Sequence, residues 1–262
     1  MSSPAVQDVV GPAELFDLQG RVAIVTGASS GLGDRFARVL AAAGAQVVGA
    51  ARRLDRLERL ASEVETVTPM RCDVGVDEDL EQLVASTLER FGHVDVLVNN
   101  AGVGGTAPAE EESREHFRRV MDINLNAVFV LSQIAGRAML ERGQGSIVNI
   151  ASMFGLVASA PVLHASYCAS KGAVVNMTRE MGAQWARRGV RVNALAPGFF
   201  PSEMASELIE DEQSARFLRR NTPIGRPGAA HELDGPLLFL ASDASSYVTG
   251  QTIAVDGGWT AR

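Results

Sequence analysis

The sequence predicts an α/β fold: a single-domain, doubly wound, seven-stranded parallel sheet of Rossmann-like type with helices on both faces. Three observations predict it. Short apolar runs of strand length alternate with amphipathic stretches of helical period. The runs are apolar nearly throughout rather than at every second residue, the pattern of strands covered on both faces. The first of them, residues 21–26, runs straight into a glycine-rich turn that opens a helix.

The elements follow in order. Residues 31–43 read as a helix, with Leu32, Phe36, Val39 and Leu40 at spacings of three and four. Residues 45–51 form a second strand, 54–64 an amphipathic helix and 66–72 a weaker third strand. Residues 77–91 are a helix, with Asp77 as its N-cap and Glu78 and Asp79 in the first turn. A buried strand at 94–99 precedes a long helical stretch at 110–140. Strand 145–151, helix 165–188 and strand 190–196 come next, then helical segments near 203–220 and 229–241 and a last strand at 251–255. Crossovers between parallel strands are right-handed by rule, which makes the sheet doubly wound.

The 262 residues allow one domain or two. No linker of Pro, Gly and Ser divides them and no internal repeat is visible. One domain at 18–262 is expected, after an N-terminal extension at 1–17. Hydrophobic residues make up 46% of the chain and charged residues 21%, which excludes disordered, collagen-like and coiled-coil readings. The net charge of −7 argues against a nucleic-acid partner, which calls for clustered Lys and Arg. Two cysteines, Cys72 and Cys168, make no disulfide framework. Met1 to Leu18 carry Asp8, Glu14 and Asp17 and no basic residue, so no signal peptide is expected. No uninterrupted apolar run reaches membrane-spanning length, so no membrane partner is expected, and the default setting is cytoplasmic. No Cys, His and Asp cluster has metal-ligand spacing, so no metal is expected.

The 26 glycines exceed the usual share. Three of them, Gly27, Gly31 and Gly33, stand in the turn after the first strand. There they permit a tight bend, close approach of a pyrophosphate to the backbone, and close packing of helix on sheet. The helix N-terminus adds free N–H groups and a positive dipole end. The spacing is G-x-x-x-G-x-G.

With Thr26–Gly33 come, in order, Asp73, Asn99-Asn100-Ala101-Gly102, Asn124, Ser152, Tyr167-x-x-x-Lys171 and Pro197-Gly198. From about Leu18 to Thr260 the chain resembles the short-chain dehydrogenase/reductase family. The resemblance implies an oxidoreductase that passes a hydride between a nicotinamide cofactor and a secondary alcohol or ketone. It implies cofactor contacts at Gly27, Ser29, Ser30, Gly31, Leu32 and Gly33, at Asp73 and Val74 beside the adenine, and at Asn99, Ala101 and Gly102. It extends them to Tyr167, Lys171, Pro197, Gly198 and Ser202. It implies catalytic roles for Asn124, Ser152, Tyr167 and Lys171, and a homotetramer joined through the helices at 110–140 and 165–188 and near the last strand.

In that family an NAD-preferring member carries Asp where this chain has Ala51. Arg52 follows, and a guanidinium suits a phosphate in bidentate fashion. NADP(H) is therefore expected, with NAD(H) as the alternative. Asp34, just past the turn, counts against phosphate binding, while Arg56 and Arg59 read as a solvated helix face.

On a helix, the i, i+4 spacing puts Tyr167 and Lys171 on one face. A phenol with a pKa near ~10 is a poor base at neutral pH, and a neighbouring ammonium lowers that value. Tyr167 then serves as general acid/base. Ser152 donates to the substrate oxygen, and the resemblance implies that Asn124 helps hold a water that relays protons to Lys171. Cys168 faces away from Tyr167 and reads as a packing thiol, and His164 as a loop histidine without partners. Residues 199–228, with Phe199, Phe200, Phe217 and Ile224, read as a substrate lid. Two rival functions share this frame. One is reduction of 3-oxoacyl-carrier-protein substrates. The other is a non-enzymatic dinucleotide sensor, for which the Tyr–Lys pair has no use.

Overall fold

The computed structural model describes residues 9–201 and 212–262. Ser202 and the first part of the expected helix at 203–220 lie outside the described residues, as do residues 1–8. The strands are β1 (Val22–Thr26), β2 (Gln46–Ala51), β3 (Val67–Arg71), β4 (Val96–Asn99), β5 (Gly145–Ile150), β6 (Val190–Pro197) and β7 (Thr252–Val255). They form one seven-stranded sheet in the order β3-β2-β1-β4-β5-β6-β7, and every pairing is parallel.

Alternate residues of each interior strand enter opposite cores. In β1, Ala23 and Val25 pack with Phe36, Leu40, Leu57 and Leu240 on one face. Ile24, between them, packs with Leu83, Leu131 and Ile147 on the other. All five residues of β1 are buried, which explains why the strand reads as a continuous apolar run.

A single helical turn, α1 (Pro12–Leu15), forms inside the segment expected to be an extension. The helices that follow are α2 (Gly31–Ala42), α3 (Leu54–Glu63), α4 (Asp77–Phe91), α5 (Arg114–Met121), α6 (Ala127–Arg142), α7 (Ala165–Trp185), α8 (Glu212–Asn221) and α9 (Asp234–Ala241). Three differ from expectation for physical reasons. The N-cap of α4 is Val76, not Asp77. Asp77 is the first helical residue, and its carboxylate sits at the positive end of the helix with those of Glu78 and Asp79. The long stretch expected at 110–140 begins only at Arg114, where Ser113 caps it by accepting from the His116 N–H at 3.1 Å. It is also broken by a π-helical turn at Asp122–Asn126. The segment expected at 229–241 is a 3-10 turn, Ala230–Leu233, followed by α9, whose first turn takes Pro236 because no helical N–H is needed there.

Residues Arg114–Arg142 together are long and apolar enough to cross a membrane by length and composition. No membrane is needed to explain this. Leu131, Ala135 and Met139 are spent on the core beneath the sheet.

Candidate active site

The strand order reverses between β1 and β4, and a crevice at the carboxyl ends of such strands is where doubly wound sheets bind ligands. Thr26 fastens its two sides together. Its Oγ1 accepts from the Asn100 and Ala101 N–H groups, each at 3.0 Å, and Asn100 Nδ2 donates to Thr26 O at 2.9 Å. Gly27 turns the chain with φ +70°, and α2 then starts at Gly31 with no side chain capping it. The first N–H groups of α2 and its positive end are left to a ligand. The fit with a diphosphate is steric as well. A Cβ on Gly33 would lie 2.2 Å from Gly27 O, and one on Gly27 would lie 2.8 Å from Asn100 Nδ2. The turn is thus a backbone cradle with no room for side chains of its own.

Around this cradle the sequence expectations divide. Asp73 and Val74 stand half-buried past the end of β3. Asp73 Oδ1 accepts from Gly75 N, and Asp73 N donates to Asp79 Oδ2, so the loop is braced against α4. Ala101 and Gly102 are partly exposed beyond β4. Asn99, expected to line the cofactor, turns its side chain inward. Its Nδ2 donates to Ser132 Oγ and to Asn149 Oδ1, both at 2.9 Å, tying β4 to β5 and α6.

The arginine beside the turn is also not the expected one. Arg52 is exposed. Arg53 lies back across the turn, with Nε donating to Ser29 Oγ at 3.2 Å and Nη2 to Ser30 Oγ at 2.7 Å. Asp34 is engaged by Arg38 at 2.9 Å, so its charge is compensated locally rather than directed at a phosphate.

At the carboxyl end of β5, Ser152 is buried and hydrogen-bonded to the side chain of Tyr167. One helical turn on, Lys171 is buried, with Nζ donating to Ile150 O at 2.6 Å and lying 5.7 Å from the Tyr167 ring centroid. Asn124, fully buried on the π-helical turn, accepts from Val103 N and donates to Val103 O and Ser170 Oγ. A Cβ on Gly102 would lie 3.2 Å from Asn124 Oδ1 and 3.7 Å from Lys171 Nζ, so the four expected catalytic residues share one small volume.

Burial pushes the Tyr167 phenol above its ordinary value, and the hydrogen bond to Ser152 pulls it back. The group that favours the phenolate is therefore Ser152, not the Lys171 ammonium expected from spacing. Burial lowers Lys171 to about 8 from an ordinary 10.5, which amounts to about 3 kcal/mol against its charged form. Its ammonium is thus held near the point where it exchanges a proton at moderately alkaline pH.

Pro197 ends β6, and Gly198 N donates to Val255 O at 2.9 Å. A Cβ on Gly198 would meet Asp256 Cα at 2.8 Å, so this turn too is closed to larger residues. Beside Tyr167, Phe154, Phe199, Phe217 and Trp259 form an edge-to-face cluster, with Cys168 packed against it as expected. Two thirds of the expected lid at 199–228 is described. Phe200 is buried in the core of the sheet rather than facing substrate.

Comparison with known proteins agrees with this geometry. A family profile described as "Enoyl-(Acyl carrier protein) reductase" matches residues 27–260. The chain is 42% identical to a gluconate 5-dehydrogenase of Gluconobacter oxydans, covering 94% of this chain and 97% of that one. It is also 42% identical, with the same coverage, to a galactitol 2-dehydrogenase (L-tagatose-forming) of Cereibacter sphaeroides. It is similar in structure to a gluconate 5-dehydrogenase of Burkholderia cenocepacia in complex with NADP and tartrate. That match has 38% identity and a TM-score of 0.91, and covers 96% and 100% of the two chains. The chain belongs to the short-chain dehydrogenase/reductase family, and it is an NAD(P)-dependent oxidoreductase acting on CH–OH and C=O groups.

Proposed function

We propose that this chain interconverts a secondary alcohol on a polyhydroxylated carbon chain and the corresponding ketone, using NADP(H), with Tyr167 as general acid/base. The observation that carries the reading is the Ser152–Tyr167–Lys171 arrangement at the carboxyl end of β5, with Ser152 and Lys171 buried and Tyr167 partly exposed. The nicotinamide, when bound, accepts or supplies the hydride. The chain does the rest. The backbone at Gly27–Gly33, with Ser29, Ser30 and Leu32, holds the pyrophosphate, and Asp73 and Val74 border the adenine. Ala101, Gly102, Pro197 and Gly198 flank the nicotinamide half. Tyr167 Oη takes the carbinol proton in oxidation and returns it in reduction. Ser152 Oγ holds the substrate oxygen and favours the phenolate, Lys171 orients the ribose, and Asn124 positions a water next to Lys171.

The substrate class rests on the two relatives at 42% identity, whose names specify a sugar acid and a polyol. The carrier-protein reading rests on a less similar relative, a 3-oxoacyl-[acyl-carrier-protein] reductase of Thermotoga maritima at 36% identity. The decisive assay is turnover of galactitol, D-gluconate and simple secondary alcohols with each cofactor, followed by cofactor absorbance. Turnover of simple alcohols but of neither polyol would refute the substrate class. Turnover of none would refute the activity.

Arg53 is proposed as the 2′-phosphate ligand in place of Arg52, because it already reaches both serines of the turn. A charge-assisted hydrogen bond is worth about 1.5–3 kcal/mol. Arg53→Ala should then weaken NADPH binding about 10- to 100-fold while changing NADH binding less than about threefold. Fluorescence titration with both nucleotides checks this, and equal loss for both overturns it.

The chain is further proposed to be a homo-oligomer, with the tetramer of its family the expected state. The groove between α6 and α7, about 700 Å³ and lined by Leu125, Phe129, Leu140, Met177, Met181 and Trp185, supports this. Phe129 is 45% exposed there. Contiguous apolar surface of this kind marks an interface, and Phe129→Asp should yield a smaller species by light scattering. A cytoplasmic setting accords with the free thiols of Cys72 and Cys168.

A further inference from the structure

Three residues before Tyr167, the imidazole of His164 is held in a way that the chemistry described so far does not use. We propose that His164 recognises the substrate: its Nε2 accepts a hydrogen bond from a hydroxyl on a carbon close to the reacting one. This rests on the reading that Tyr167 works on a carbinol within a polyhydroxylated chain.

The tautomer follows from one contact. His164 Nδ1 lies 2.8 Å from Gly105 O. A carbonyl oxygen only accepts, so Nδ1 carries the proton, and the neutral ring presents Nε2 as an acceptor. Among the described residues, no hydrogen bond takes up Nε2. The ring stands beside the catalytic phenol, 5.8 Å from the Tyr167 ring centroid, with Phe154 on another side at 6.2 Å.

The ring is also preorganised. Ala107 N donates to Leu163 O at 3.0 Å, and Ala107 pairs with His164 as an isolated bridge. Two residues on, Ser166 donates through both N and Oγ to the Glu112 carboxylate, whose side chain is only 7% exposed. The strip 163–166 is therefore pinned at three successive points to the loop at 105–112. A fixed acceptor discriminates strongly, because a substrate without the matching hydroxyl leaves it unpaired. Its other ring neighbour, Phe154, is apolar and contributes shape rather than hydrogen bonds.

Two substitutions separate recognition from structure. His164→Asn keeps a donor at the position of Nδ1 and removes Nε2. His164→Gln places an amide where Nε2 stood. With galactitol as substrate, His164→Asn should raise KM by about tenfold or more and change kcat less than about threefold. With cyclohexanol, which has no second hydroxyl, its KM should stay at the wild-type value. His164→Gln should bring the galactitol KM back to within about threefold of wild type. Thermal melts establish that both variants are folded. An unchanged galactitol KM in His164→Asn, an equal rise for both alcohols, or a wild-type enzyme inert to galactitol overturns the inference. In the last two cases, cyclohexanol turnover that Tyr167→Phe abolishes leaves the oxidoreductase activity standing. Loss of turnover with every alcohol would mark failure of the activity itself.

Discussion

Tyr167→Phe should lower kcat at least about 10³-fold while leaving NADPH affinity within about threefold of wild type. General acid/base catalysis contributes about 10²- to 10⁴-fold, and here it is concentrated in one hydroxyl. The ring does different work from the hydroxyl. It packs against His164 and beside the Lys171 ammonium, and phenylalanine keeps both contacts. The hydroxyl has the hydrogen bond to Ser152, the contact that draws the buried phenol back toward ionisation. Removing it deletes the proton donor and acceptor without emptying the space. Steady-state kinetics and a nucleotide titration on the same preparation measure the two effects separately. Turnover within tenfold of wild type would remove Tyr167 from the chemistry. Unimpaired nucleotide binding without turnover in the wild-type protein would instead revive the sensor reading.

How much of this was legible in the sequence depended on whether a residue's direction follows from its period. Interior strands such as β1 are covered on both faces, so they read as apolar runs, and their number and order along the chain were accessible. The Tyr167–Lys171 pair was equally accessible, since i, i+4 on a helix leaves little choice of face. Directions failed at the joints between elements. Asn99 and Asn100 are adjacent at the end of β4, where successive side chains point to opposite sides. Asn99 went to the core, and Asn100 went over Thr26. Arg52 and Arg53 sit where β2 gives way to α3, and the switch from period 2 to 3.6 decided which one faced the turn.

The π-helical turn at Asp122–Asn126 left no composition signal, yet it carries Asn124 within reach of Val103 and Ser170. Spacing overstates the influence of Lys171 on Tyr167 because it says nothing of burial, and burial is the largest effect on both groups. The sequence leaves His164 without a partner because that partner is a backbone carbonyl 59 positions away, and no side-chain pattern announces such a contact.

Gly33→Ala should abolish measurable NADPH binding, although it adds one methyl group and touches no charge. The added Cβ would stand 2.2 Å from Gly27 O, 2.5 Å from Asn100 Nδ2 and 2.7 Å from Gly27 C. Two of those atoms are backbone, so no rotamer change relieves the contact, and α2 has to move away from β1. That movement opens the cradle at the point where the first N–H groups of α2 converge. It also strains the Asn100–Thr26 bond that joins the two sides of the crevice. Overpacking of this kind costs about 1–3 kcal/mol of stability. A ligand at 100 times its Kd adds about 2.7 kcal/mol to the folded state. Wild-type protein should therefore melt several degrees higher with saturating NADPH, and Gly33→Ala should melt lower and show no such rise. Gly235, in the first turn of α9 with nothing within 4 Å of its virtual Cβ, is the control. Gly235→Ala should keep the full NADPH-dependent rise and gain up to about 1 kcal/mol from helix propensity. A Gly33→Ala protein that still responds to NADPH would mean that the helix docks with slack the contact distances do not allow. The pyrophosphate cradle would then owe its shape to the arginine and serines of the turn rather than to the closeness of its backbone.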